Sequence, residues 1–455
     1  MRKRLIIIVL TVMAIAYFSE NKLLAKRSNG LDLAPNTPQL EPITKEDKIL
    51  ILAPHPDDEA LSLGGLIQKA VKVGADVRVT YLTSGEHNQL AFIVYEKRFV
   101  IKQKALIKMG ELRQKEAISA MKFFGVPEEN LIFLGYPDFG TLVIFLRNWG
   151  DSKPFKNMLT RVSNVPYENA LTPNAPYKGE SILADIESVL TKYKPTKIFV
   201  TNPVDTNRDH KALYLFLQVA LWDLKGKIPQ PQVIPYLIHC YGWPKPRNYH
   251  PELYLNIPKL LGNSQIEWRS SDLSDEEIKQ KEKAIRLYRS QCADSAFYLT
   301  AFARKNELFG DYPVIELDNP MVSGERGGFK IATTFRDRTV TYGRSNNDLI
   351  INVFLKKGAG GIHKFYVNLV SYNPTIKFSQ MPKLKISVDA DSIKLLDRGR
   401  FIKPDKMDVE QREHSVSIKM PLNMLGDPQS ILSSVNTYTE NFSSDLNAWR
   451  IIKIK

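Results

Sequence analysis

The chain has 455 residues, 43% of them hydrophobic and 25% charged, which excludes wholesale disorder and a polytopic membrane protein and leaves room for two or three domains. Its 24 glycines and 27 prolines follow no period, and two cysteines, Cys240 and Cys292, are too few for a disulfide framework or a four-thiolate zinc site. The formal charge of +14 favours an acidic polymer or a membrane surface over nucleic acid, for which no long basic block or motif is present.

Taken in chain order, Arg2-Lys3-Arg4 precede an apolar run over residues 5–18. That run is short for a bilayer span of about 20 residues and fits the core of a secretory signal. Residues 1–18 read as a signal peptide or a membrane anchor. Both readings put the folded part outside the cytoplasmic membrane, secreted or anchored on its outer side. Residues 19–46 are polar, contain Pro35, Pro38 and Pro42, and read as a linker.

Residues 47–320 read as one domain. An apolar strand at 48–52 stops at Ala53-Pro54, and Leu61, Leu63, Leu66, Ile67, Ala70 and Val71 follow at helical spacing up to Gly74. Residues 76–82 alternate as a strand, 97–124 read as a long helix, 130–134 and 197–201 as strands, and 210–224 as a helix. Strands alternating with helices predict a doubly wound α/β domain with a mostly parallel sheet. The insertion at 141–182 carries Trp149, Tyr167 and Tyr177; it either shapes a substrate groove or packs on the domain as a loop. Lys97, Arg98, Lys102, Lys104 and Lys108 give the long helix a basic face, for solvent or for an anionic polymer or lipid. Beyond Gly324, Gly327 and Gly328 the text turns strand-like at 349–355, 383–388, 415–420 and 449–454. Residues 325–455 are expected to form an all-β sandwich.

The chemistry gathers at two strand ends. His55-Pro56-Asp57-Asp58-Glu59 follows the first strand, and Asp205-Thr206-Asn207-Arg208-Asp209-His210 follows a later one. Sites in open α/β sheets lie at the carboxyl ends of strands. If the two strands are neighbours, His55, Asp58 and His210 form a His–Asp–His set, the composition of a catalytic zinc site. Asp57, beside a ligand yet free of the metal, is placed to take a proton from water. Each segment alone also reads as helix capping and a structural histidine.

These residues resemble the PIG-L/LmbE-like zinc-dependent de-N-acetylases, which remove acetyl from N-acetylglucosamine units. Ala53-Pro54-His55-Pro56-Asp57-Asp58-Glu59 with Asp209-His210 carries the resemblance. Leu82-Thr83-Ser84-Gly85-Glu86, Arg113-Gln114-Lys115-Glu116-Ala117, Leu134-Gly135-Tyr136-Pro137-Asp138, and Lys283-Ala284 with Ser290-Gln291 extend it over residues 46–305. It implies zinc, or another divalent transition metal, on His55, Asp58 and His210, with Asp57 as general base. It also suggests Arg113 and Asp138 as sugar-binding residues and Glu59 and Asp209 as supports for the ligands. Many relatives carry His-Pro-Asp-His where this chain has Asn207-Arg208-Asp209-His210. Asn207 can donate a hydrogen bond to an oxyanion but cannot deliver a proton. Either Asp57 shuttles the proton or another histidine does, and His239, ending a strand-like run, is the candidate. The β region weakly resembles DOMON-like and family-nine-type carbohydrate-binding sandwiches through Leu422-x-x-Leu425-Gly426 and Trp449-Arg450-Ile451-Ile452. The expected partner is an N-acetylated sugar or glycan, with an anionic envelope polymer or membrane surface as a further contact and no nucleic acid.

Overall fold

The computed structural model describes residues 37–87, 103–318, 330–334, 338–355, 362–389, 392–412, 414–439, 442–443 and 447–455. The signal or anchor at 1–18, the first part of the linker, Lys97, Arg98, Lys102, Gly324, Gly327 and Gly328 lie outside the described residues. Among the described residues no helix is long and apolar enough to cross a membrane.

Seven strands form the first sheet: β1 (Lys48–Ala53), β2 (Asp76–Thr83), β3 (Leu131–Tyr136), β4 (Lys197–Thr201), β5 (Gln232–Tyr236), β6 (Glu267–Asp272) and β7 (Asn306–Asp311), in the order β3-β2-β1-β4-β5-β7-β6. The first five run parallel, and β7 lies antiparallel between β5 and β6. β1 shows why the sheet is covered twice. Ile49, Ile51 and Ala53 enter one core while Leu50 and Leu52 enter the other, because successive side chains of a strand point to opposite faces.

Helix α1 (Asp58–Val73) covers the first face with Leu63, Leu66 and Ile67, each contributing roughly 1.5–3 kcal/mol by burial. It ends at Gly74, whose φ of 82° places it in the left-handed cap that glycine tolerates best. Helices α2 (Gln103–Phe123), α6 (Asp275–Ile285) and α7 (Arg289–Leu299) lie on the same side. Helices α3 (Thr141–Arg147), α4 (Gly179–Tyr193) and α5 (Arg208–Asp223) cover the other. This is the doubly wound α/β architecture expected, with an antiparallel edge added. The end of the expected linker is part of that edge: Leu40 N donates to Ser270 O at 2.7 Å and Ser270 N to Pro38 O at 2.9 Å. Leu40 and Ile43 pack on the core there, which removes residues 38–43 from any free tether.

Trp149, Tyr167 and Tyr177 are 2%, 3% and 1% exposed. They belong to the core between α3, α4 and α5, so the rings of 141–182 build the domain rather than a substrate groove.

The remaining strands form two packed sheets. One follows the order 408–412, 415–421, 348–355, 338–345, 330–334; the other centres on Ile362–Tyr372, Lys383–Asp389 and Ser430–Thr439. Val340, Ile351 and Ile418 of the first meet Val367, Ile386 and Ile431 of the second in one core. The strand Ile315–Leu317 pairs in parallel with Arg450–Ile454 and buries Ile315 and Leu317 in that core, so the β unit begins ahead of the expected boundary at 320–325. Leu422–Leu425 is a single 3-10 turn closed by Gly426 at φ 73°.

The two units share apolar contacts. Phe378 packs against Phe145 at 6.0 Å and edge-on to Trp149 at 4.9 Å, and the Tyr372 hydroxyl donates to Asp223 Oδ1 at 2.9 Å. Cys240 and Cys292 are free thiols, the first buried.

Candidate metal centre

β1 and β4 are neighbours, with Ile51 opposite Phe199, so the turns that leave them open onto one crevice. There His55 Nδ1, Asp58 Oδ2 and His210 Nε2 form a triangle with every side 3.2 Å. Ligand bonds of about 2.0–2.1 Å at a tetrahedral ion put donor atoms roughly 3.3 Å apart, so the triangle has the right size. All three residues are buried.

The charge balance also asks for a cation. Asp57, Asp58, Asp138, Asp205 and Asp209 are all buried around the two imidazoles, and Arg113 is the buried guanidinium among them. Burial pushes the His210 pKa down, but Asp205 and Asp58 outweigh it and lift it to about 9. Burial likewise opposes protonation of His55, while Asp138, Asp209 and Asp58 drive its pKa well above the ordinary value. Such an excess of buried carboxylate needs a compensating positive charge.

Each ligand is held from behind. Asp58 Oδ2 accepts from His55 N at 2.9 Å. His210 Nδ1 stands 3.1 Å from Asp205 Oδ2, which also accepts from His239 N at 2.8 Å and Ile238 N at 3.2 Å, while Asp205 Oδ1 accepts from Asn207 N at 2.8 Å. A carboxylate on the far nitrogen fixes the tautomer of a metal-binding histidine and raises its basicity. Asp205 was not singled out in the sequence. Its signal was an acid at a strand exit five residues ahead of a candidate ligand histidine.

His55 Nε2 lies 3.2 Å from Asp138 Oδ1 and 3.5 Å from Asp209 Oδ2, at ion-pair distance yet without an aligned hydrogen bond to either. Asp209 accepts from Phe139 N at 2.6 Å, from Thr141 N at 3.2 Å and from the Thr141 hydroxyl, tying the loop after β3 to the start of α5. Asp138 Oδ2 accepts from His87 N at 2.9 Å, and its own N–H donates to Glu86 Oε1 at 3.2 Å. Glu86 is pushed up to about 8, by burial first and the Asp138 charge second. Asp138 thus stands against the far nitrogen of His55.

Asp57 occupies a strained turn with φ 133°. Its N–H donates to Glu59 Oε2 at 3.1 Å, its carbonyl accepts from Ala60 and Leu61, and its Oδ2 accepts from Arg113 Nη2 at 3.1 Å. Burial raises Asp57 and Arg113 opposes the rise, leaving it at about 7. Glu59 is raised to about 8, mainly by burial, although the Tyr288 hydroxyl donates to it. Arg113 also donates to Gly85 O and Pro56 O, each at 2.7 Å. A Cβ on Gly85 would sit 1.9 Å from Arg113 Nη1, which explains a glycine there at φ 64°. Arg113, expected to bind sugar, is placed against Asp57, and the neighbouring Gln114 and Glu116 brace the loops at Ser84 and Ser290.

Asn207 caps α5, its Oδ1 accepting from Asp209 N at 2.8 Å, so its amide nitrogen is the end left to donate. The His239 ring stands edge-on to His210 at 4.7 Å between centroids, with Nδ1 3.3 Å from the Tyr298 hydroxyl. The strand end at 236–240 therefore reaches the crevice. Burial and the neighbouring histidines keep the His239 pKa down at about 4, against the pull of Asp205.

Residues 50–221 match the family described as PIG-L, GlcNAc-PI de-N-acetylase. Two 1D-myo-inositol 2-acetamido-2-deoxy-alpha-D-glucopyranoside deacetylases, from Mycobacterium sp. strains KMS and JLS, are each 34% identical over 113 residues, 25% of this chain and 33% of theirs. The chain spans about a third of the length of these curated relatives. Among solved structures, N,N'-diacetylchitobiose deacetylase from Pyrococcus horikoshii is 19% identical with a TM-score of 0.34, covering 55% of this chain and 72% of its own. The zinc-inhibited form of teicoplanin deacetylase is 16% identical with a TM-score of 0.35, covering 58% and 97%. From β1 through α5, residues 50–221 are a PIG-L family domain.

Proposed function

We propose that the protein is a metal-dependent N-deacetylase that removes the acetyl group from an N-acetylglucosamine-type sugar of an envelope or extracellular glycoconjugate, using zinc or another divalent transition metal. The observation that carries this reading is the buried His55–Asp58–His210 triangle with Asp57 beside it. The sugar deacetylases from Mycobacterium support the substrate class, and the apolar run at 5–18 supports the location.

His55 Nδ1, Asp58 Oδ2 and His210 Nε2 are the donors for the ion, which when bound polarises the amide carbonyl and acidifies water. Asp57 takes a proton from the attacking water as its oxygen bonds to the acetyl carbon. The C–N bond then breaks, the amine leaves with that proton, and acetate is released. A carboxyl group poised near 7 can both accept and return the proton. Arg113 holds Asp57 in place and in part ionised, and Asp205 fixes the His210 ring. Asn207 offers its amide N–H to the developing oxyanion.

The test is acetate release from a panel of N-acetylated glucosamine oligosaccharides, with metal added and removed, with N-butyryl analogues run in parallel. Metal-dependent acetate release supports the reading. Release of only the larger acid would make the protein an amidase of another class, and no release in any metal would overturn it.

A further inference from the structure

About one short helix away from the triangle, the two structural units share an open groove of ≈ 590 Å³. Arg147, Lys153 and Lys156 line it from the α/β side, and Arg398 and Arg400 from the β side, with Asp151 as the acid in the lining. Arg398 is paired with Asp397 at 3.1 Å. Among the described residues, Arg147, Lys153, Lys156 and Arg400 have no ion-pair partner. The concentration of positive charge is felt next door. The half-buried Lys385 amine is pushed down by burial and then by Arg147, and that of Lys383 by burial and then by Arg398.

The turn that supplies Arg398 is built for this position. Arg398 and Gly399 both have positive φ, 49° and 81°, in the two-residue loop between Ser392–Asp397 and Arg400–Ile402. Such loops favour Asn-Gly or Asp-Gly, and arginine here departs from that preference. Arg147 lies along the bare backbone of the turn, within 3.4 Å of where a Cβ on Gly399 would be. Guanidinium groups from the two units therefore converge on one groove, where the cations outnumber the acids Asp151 and Asp397.

The groove lies at the far end of α3 from the candidate metal centre. α3 begins at Thr141, bonded to Asp209, and ends at Arg147, a run of seven residues or about 10 Å. On the other wall, the Phe155 ring packs on Gly140, and Asn157 Nδ2 donates to Asp138 O at 3.4 Å. The Phe139 ring, beside Gly140, is half-exposed.

We propose that this groove binds the carboxylate or sulfate groups of the same glycan chain whose N-acetyl group reaches His55, Asp58 and His210, about two sugar units from the reacting bond. The inference rests on the deacetylase reading and names its substrate as a charged N-acetylated polysaccharide. Arginines set in a fork geometry suit carboxylate and sulfate oxygens. A cationic surface shared by two units suits a chain that runs from one to the other.

The test is binding, which needs no turnover. The affinities of the full chain for a heparosan hexasaccharide, alternating N-acetylglucosamine and glucuronate, and for neutral chitohexaose are measured by calorimetry at low and high salt. The measurements are repeated for Arg147→Ser/Lys153→Ser/Arg400→Ser, with the melting temperature checking its fold. The wild-type ratio favouring heparosan is expected to fall on the order of tenfold in the variant and to shrink with salt. A ratio unchanged in the variant overturns the proposal, as does loss of binding to phosphatidylglycerol vesicles in the variant without any change towards heparosan. Failure of the deacetylase reading would show separately, as absence of acetate release from both oligosaccharides while the binding difference persists.

Discussion

Asp57 Oδ2 and Arg113 Nη2 meet at 3.1 Å beneath the metal triangle, joining the turn after β1 to the middle of α2 across 56 positions of sequence. Burial drives Asp57 towards the protonated form, and Arg113 is the largest opposing influence. Replacing Arg113 with Gln removes the positive charge, so the Asp57 pKa rises further. The acid limb of the pH–rate profile is expected to move up by about one unit or more, because a nearby opposite charge is worth about 1–3 units. An acid limb that stays in place would mean that Asp57 does not set it.

His210→Ala removes one of three donors and leaves Asp58 and Asp205 facing a gap. Metal content after dialysis is expected to drop from one ion per chain to none, and chelator, expected to lower the melting temperature of the wild type, should leave that of the variant unchanged. Full metal occupancy in His210→Ala would place the ion elsewhere.

Asp205→Asn tests the support of that ligand. The amide keeps the shape but leaves His210 Nδ1 without a carboxylate, so metal affinity should weaken roughly 10–100-fold. Competition with a chromophoric chelator reads this directly. Unchanged affinity would reduce Asp205 to a brace for the 238–239 backbone.

His239→Ala separates two sources for the leaving amine's proton. With Nδ1 against the Tyr298 hydroxyl and a pKa held low, His239 is neutral at pH 7. Turnover is therefore expected to fall less than about tenfold, with both limbs of the profile kept. Disappearance of the alkaline limb would give His239 the general-acid role and leave Asp57 the base alone.

Lys383 provides a stability test away from the crevice. Its amine donates to Phe378 O at 2.7 Å and Met381 O at 3.1 Å, beneath the Phe378 ring, and burial pulls its pKa down to about 7. Between pH 7 and 10 the unfolded chain holds the proton that the folded chain has lost, so this group makes stability rise with pH in that window, by up to about 1 kcal/mol per unit. Urea midpoints at pH 7 and pH 9 should diverge in the wild type and converge in Lys383→Met.

Much of the centre was legible because it is local. His55 and Asp58 share one turn, and βαβ topology puts β1 beside β4, which brings His210 to them. Contacts between distant segments were not legible. Nothing in Arg113-Gln114 shows that the guanidinium turns to Asp57 rather than to a ligand. The rings of Trp149, Tyr167 and Tyr177 sit among prolines in a segment that reads as surface loop but folds into the core. β6 is polar at an edge and β5 contains Pro235, so neither gives the apolar signature of an inner strand. α6 did carry a signal: Ser274 and Glu277 form a capping box ahead of a helix whose charged surface hides its period.

α3 is held at both ends by different parts of the molecule. Its first residue is bonded to Asp209 beside His55, and its Phe145 is wedged between Phe216 at 4.9 Å and Phe378 of the β unit at 6.0 Å. Trimming the chain before residue 315 would strip Phe378 from this aromatic stack and Trp449 from the same core, and leave a sticky face where the β unit had been. It would also slacken the strut that aligns the Asp138–Thr141 loop. The chemistry-bearing half is thus no free-standing cassette. Grafting or expressing it alone calls for redesigning the faces of α3 and α5 first.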